Sequence, residues 1–185
     1  MKHYIVNIWS LLDPFYFRMA RLSYIHKNKN DYKNIFRVKM ISYKGKPFIC
    51  RDGTKVEEND KVLKIHLHNI RLIREMKDIK NDINQARYIF KVVHESLPEL
   101  ANYVHNHYDA AHIKGIIGVT AISKGSFRLG FETVPISNLF YKGLKYTSFI
   151  MIRSMYRKPP TLADLRTHQP SYIYMSKEQL MDKYH

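Results

Sequence analysis

Apolar and polar positions alternate most cleanly over residues 61–68, "KVLKIHLH". Leu63, Ile65 and Leu67 fall on one side; Lys64, His66 and His68 fall on the other. A period of two predicts a strand with one buried face. Upstream, "IFRVKMISYKG" (35–45) alternates less regularly and predicts a strand ending at Gly45. "KPFIC" predicts a short strand, and Asp52-Gly53 supplies a hairpin turn, so three strands in a meander are expected.

The pattern then changes to a helical one. Leu72, Met76, Ile79, Ile83, Ala86, Phe90, Val93 and Leu97 recur at steps of four and three, which predicts a helix over 72–97. Asn69 reads as its N-cap. The stripe suits packing on the chain's own sheet, and its period also suits a homodimer seam through the 72–97 helix. Ser96, Pro98 and Glu99 form a capping-box pattern that predicts a further helix to about His112. "GIIGVTAIS" (115–123) reads as a buried strand, followed by a short helix ending at Gly130 and another strand. A helix over 137–157 is expected to end before Pro159-Pro160. Residues 171–184 predict a strand and a helix capped by Ser176. Without regular βαβ alternation, the expected fold class is α+β: a single domain with a largely antiparallel sheet and several packed helices.

The N-terminal stretch "YIVNIWSLLDPFYFRMARLSYI" (4–25) is long and aromatic-rich enough to suggest a membrane span. Asp13 at its centre, with Arg18 and Arg21 close behind, excludes one on energetic grounds. Asn7 and Ser10 interrupt the apolar run and no small-x-small site follows, so a signal peptide is not expected. The residues predict a helix from Lys2 to Leu12 and a second opened by Asp13 as N-cap, with Pro14 in its first turn. Residues 1–26 are expected to form an N-terminal helical segment packed on one α+β unit of 27–185, which begins with the polar linker "KNKND" (27–31). Two readings of this segment stay open. It packs into the core, or it places Trp9, Phe15 and Phe17, with Arg18, Arg21 and Lys27, at a lipid interface.

Charge adds a second layer. The formal net charge is +15, and it is uneven. Residues 1–50 carry ten Lys/Arg against two acids, 51–112 carry ten against ten, and 113–185 carry eleven against four. If the two ends meet, they make a basic face suited to an anionic partner: acidic lipid, glycan or nucleic acid. The lone cysteine, Cys50, excludes an internal disulfide and a Cys-based zinc site made by one chain.

Two histidine groups are the candidate chemistry. His66 and His68 share a strand face, where they suit acid–base catalysis or metal binding, with Asn69 placed to orient a substrate. On a continuous helix, His105, Asp109 and His112 would share a face at i, i+4 and i+7 and so offer a metal two nitrogens and a carboxylate. Phosphate-loop, nucleophile-elbow, zinc-protease and dinucleotide-binding signatures are absent. No cofactor is indicated, and no helix-turn-helix or RNP-like run favours nucleic acid.

With these motifs in view, the chain resembles the YkoP-like family of small bacterial proteins. The resemblance rests on "IWSLLDPFYFRMARLSYI", "DGTKVEENDKVLKIHLHN", "GVTAISKGSFRLGFE" and "YMSKEQL", which extend over most of the 185 residues. Related domains attached to polysaccharide deacetylases imply a link to the cell envelope. No catalytic residues come with the resemblance, and the deacetylase metal motifs are absent here. The leading expectation is a non-catalytic basic accessory module for an anionic envelope lipid or glycan, cytoplasmic and peripheral at the membrane. A small enzyme acting on a glycan or lipid intermediate through His66, His68 and Asn69 is the alternative. Nonspecific nucleic-acid binding is third.

Overall fold

A computed structural model describes residues 2–25, 34–107, 109–120, 125–156 and 169–185, with side chains described outside 2–9 and 151–156. The linker 27–31, Lys27 and Pro159-Pro160 lie outside the described residues, as does the side chain of Trp9.

Among the described residues six strands form one sheet, in the order β1 (Ser23–Tyr24), β2 (Phe36–Ser42), β5 (Lys61–Leu67), β6 (Ile113–Thr120), β8 (Ser171–Ser176), β7 (Glu132–Pro135). Only β5 and β6 run parallel, so the fold is α+β with a mostly antiparallel sheet. β3 (Phe48–Ile49) and β4 (Lys55–Val56) make a separate two-stranded ribbon. The expected meander is therefore corrected. β2 pairs directly with β5, from Phe36 opposite Leu67 to Ser42 opposite Lys61, and the hairpin loops out between them. Its turn carries Gly53 at φ +86°, the left-handed conformation that glycine adopts without strain.

The alternation in β5 is realised. Leu63, Ile65 and Leu67 join Phe36, Val38 and Met40 in the main core. That core is covered by α3 (Asp82–His105) and α5 (Lys177–Tyr184). Ser176 caps α5, its hydroxyl accepting from the Gln179 N–H at 3.0 Å, as the sequence predicts.

Two helix boundaries differ from expectation. The helix predicted over 72–97 is divided into α2 (Asn69–Glu75) and α3. Asn81 starts the second piece, its side chain accepting from the Ile83 N–H at 2.8 Å. The predicted start at Ser96 lies inside α3, together with Pro98. Ser96 Oγ donates to the Val92 carbonyl at 2.8 Å and accepts from the Ile35 N–H at 3.1 Å. Its hydroxyl thus ties α3 to the segment before β2 rather than capping a new helix. From Val92 to Val104 the stripe is buried in the chain's own core, while Ile83 is exposed. The break also divides the heptad stripe on which the dimer reading rests.

At the N-terminus a single helix, α1 (Lys2–Met19), runs through Asp13 and Pro14. Proline costs that helix a backbone hydrogen bond, yet no second helix begins there, because the Asp13 carboxylate is engaged by the sheet instead of capping.

Candidate functional site

The far face of the sheet is divided. At one end Tyr43, Cys50, Val56, Val62, Ile117 and Tyr174 form a small apolar core under the β3–β4 ribbon. At the other end lie α1 and α4 (Leu139–Tyr156), which touch each other. There the strand registers set basic residues side by side: Arg37 opposite His66, and Lys39 opposite Lys64. Directly opposed like charges are unfavourable. The fold handles the two pairs differently.

Arg37 is 3% exposed. Its Nη1 and Nη2 donate to Asp13 Oδ1 and Oδ2 at 2.7 and 2.5 Å. Its guanidinium lies 5.2 Å from the centroid of Phe17 and 5.5 Å from that of Tyr24, and the two rings stack on each other. Arg37 Nη2 also donates to His68 Nε2 at 2.6 Å. Because arginine only donates, His68 Nε2 must be the unprotonated nitrogen. Burial and the Arg37 charge push the His68 imidazole down to about 4. Burial alone would raise Asp13, but the hydrogen bonds and charge of Arg37, helped by His68, outweigh it and hold the carboxyl below its ordinary value. This cluster fastens α1 to the sheet. It also occupies the His68 lone pair that a general base would need.

Among the described residues no acid accompanies the second pair. Lys64 Nζ donates to the Tyr141 hydroxyl of α4 at 3.2 Å and sits 5.6 Å from that ring's centroid. Lys145, one turn further along α4, places its Nζ 5.2 Å from the same centroid. Tyr141 stacks on Tyr172 of β8 at 6.1 Å. Burial holds the Lys64 ammonium below its ordinary range. Burial, then Lys64, Lys145, Lys39 and Arg37 in turn, push His66 down to about 4. Among the described residues none of Lys39, Lys64 and Lys145 pairs with a carboxylate. Two surface concavities, one beside Asp52, Glu178 and Asp182 and one beside Arg71, Glu95 and Glu99, involve neither histidine.

His66 and His68 therefore occupy different surroundings, although they share a strand side in the sequence. β5 ends at Leu67, and His68 itself is the N-cap position of α2. Asn69, expected as the cap, is instead the first helical residue and is half-buried. α3 ends at His105, so the single helical face expected for His105, Asp109 and His112 does not form. His105 stacks on His185. Asp109 binds Lys61 Nζ at 2.5 Å and His112 Nδ1 at 2.7 Å. No group of three or more His, Cys, Asp or Glu among the described residues is placed to hold a metal ion. Phe17 supports Arg37, whereas Phe15, Arg18 and Arg21 are exposed.

Sequence reasoning missed Arg37, Lys39, Tyr141, Lys145 and Tyr172. Lys64 alone was signalled, by sharing the alternation with His66.

In comparisons with known proteins, the family model described as the YkoP domain matches residues 2–184. The "Uncharacterized protein YkoP" of Bacillus subtilis (strain 168) is 41% identical over 184 residues, spanning 100% of this chain and 98% of that protein. No solved structure matches.

Proposed function

The chain belongs to the YkoP family, and for this member we propose a non-catalytic module that docks on an anionic lipid surface through the outer faces of α1 and α4. The observation that carries this reading is a double row of exposed large apolar residues. On α1, Leu11 is 80% and Phe15 68% exposed, and Met19 continues the row at i, i+4, i+8. On α4, Leu139 is 82% and Phe140 78% exposed, with Leu144 beside them. The opposite rows, Asp13 and Phe17 on α1 and Tyr141 and Lys145 on α4, meet the basic end of the sheet. The outer rows thus face away from the sheet.

Exposed apolar patches of this kind mark interaction surfaces. The choice of partner comes from charge. Arg18 is exposed on α1 among the apolar residues, Lys39, Lys64 and Lys145 lie behind the same helices with no carboxylate partner among the described residues, and the chain carries +15. Apolar side chains with cations behind them match the acyl boundary and headgroups of an acidic leaflet. No helix among the described residues is long and apolar enough to cross a membrane, so the contact is peripheral.

Co-sedimentation tests this directly. The protein should pellet with phosphatidylglycerol-containing vesicles, not with phosphatidylcholine alone, and high salt should weaken the association. Equal partition to both vesicles, or a concentration-dependent dimer that buries the same residues and leaves no vesicle binding, would reject it.

A further inference from the structure

We propose that Lys39, Lys64, Lys145 and His66 form a receptor for one phosphomonoester dianion, either the headgroup of an acidic lipid or phosphate free in solution. In its lipid form this rests on the docking surface above.

The groups come from three elements that the fold brings together: Lys39 from β2, Lys64 and His66 from β5, and Lys145 from α4. Lys39 and Lys64 are direct cross-strand neighbours. The ammonium groups of Lys64 and Lys145 lie 5.6 and 5.2 Å from the centroid of one ring, Tyr141. All four basic side chains are half-buried, as are Tyr141 and Tyr172. The chemistry of the set is donation. Three ammonium groups carry N–H donors and no acceptor. The Tyr141 hydroxyl accepts from Lys64 and is also hydrogen-bonded to Tyr172, so the lysines carry the free donors. Tyr172, pushed up to about 12 by burial and by Tyr141, stays protonated and adds no negative charge beside the lysines. The nearby acid of α1, Asp13, is committed to Arg37.

Among the described residues these half-buried like charges have no carboxylate counter-ion, an arrangement unfavourable by itself. Burial and the neighbouring cations keep His66 neutral, which limits the repulsion. An oxyanion bridging Lys64 and Lys145 would supply the missing charge and favour the imidazolium, adding a fourth cation. Three lysines with one recruitable proton suit a dianion better than a singly charged diester. The groups facing His66 are Arg37 and Lys39 from β2, Lys64 from β5 and Lys145 from α4. Asp13 and Tyr16 of α1 and Tyr172 of β8 border the same end of the sheet.

The experiment titrates the full chain with inorganic phosphate and with a water-soluble short-chain phosphatidate, using the matching phosphatidylcholine as control. Calorimetry and the His66 ring resonances are the readouts. We expect saturable one-to-one binding of at least one of the two phosphates, a His66 shift toward the imidazolium form near pH 6, and no response to the phosphatidylcholine. Lys64→Met and, separately, Lys145→Met should each weaken binding about tenfold or more while the fold is retained. Phosphatidate binding tighter than phosphate assigns the lipid headgroup; equal affinity assigns free phosphate. Absence of binding by both, or binding unchanged in Lys64→Met and Lys145→Met, overturns the proposal. Phosphate binding without vesicle binding would reject only the docking surface, whereas vesicle binding without any phosphate response would reject only this receptor.

Discussion

Arg37 and Asp13, 24 positions apart, join the second strand to the N-terminal helix through two parallel N–H···O bonds of 2.7 and 2.5 Å. The pair is nearly enclosed, with side chains 4% and 17% exposed. Bidentate pairing of this kind is geometrically specific. Removing one partner leaves an uncompensated buried charge, whereas removing both leaves a cavity that apolar atoms fill.

Asp13→Leu and, separately, Arg37→Met should therefore each destabilise the protein by about 3–5 kcal/mol. Pairing Asp13→Leu with Arg37→Met should recover most of the loss. Urea denaturation of wild type, the two single variants and the double variant measures this. Additive losses would show that the two side chains act independently.

Stability should fall as the solution is acidified from about pH 6.5 toward 4. His66 and His68 have folded values near 4 against an ordinary 6.5. Between those limits the unfolded chain binds protons that the folded chain refuses, so stability rises with pH. Each histidine contributes at most about 3 kcal/mol above pH 6.5, and partial solvent access reduces this. Asp13, held low by Arg37, adds a further loss below its ordinary value of 3.8. Denaturation midpoints over this range should flatten in His66→Gln and in His68→Gln. An unchanged slope in both would contradict the assignment.

Lys64→Met should raise thermal stability in phosphate-free buffer, by about 0.5–2 kcal/mol. Burial disfavours the Lys64 ammonium, and methionine keeps the aliphatic stem's packing without the charge. Scanning calorimetry of the two proteins decides it. A stability loss would mean that the contact with Tyr141 outweighs desolvation.

What the sequence disclosed follows the range of the forces involved. The β5 alternation, the Asp52-Gly53 hairpin and the Ser176 cap depend on near neighbours, and all three are present. The Asn81 cap is hidden because the apolar stripe continues at helical steps from Leu72 across it, and the capping-box pattern of Ser96-Leu97-Pro98-Glu99 suggests a boundary where none exists. Only the contact between Ser96 and Ile35, 61 residues away, shows what that serine does instead. Asp13 was read as a cap for the same reason, its true partner lying on another strand. His66 and His68 were grouped by alternation, but the turn into α2 separates their surroundings. The lysine cluster depends on strand register and on where α4 crosses the sheet, neither of which periodicity fixes. Leu139 and Phe140 have the composition of core residues, and only the packed helix shows that they face outward.

Docking through the outer faces of α1 and α4 fixes which surface meets the lipid, and paramagnetic relaxation is the direct reporter. Amide and methyl signals should be recorded with phosphatidylglycerol vesicles carrying a spin label near the headgroup. Broadening confined to Leu11, Phe15, Met19, Leu139, Phe140 and Leu144, with α3 and α5 spared, is the predicted result. Broadening centred on α3 or α5, or bound protein with no broadening at α1 and α4, would contradict it.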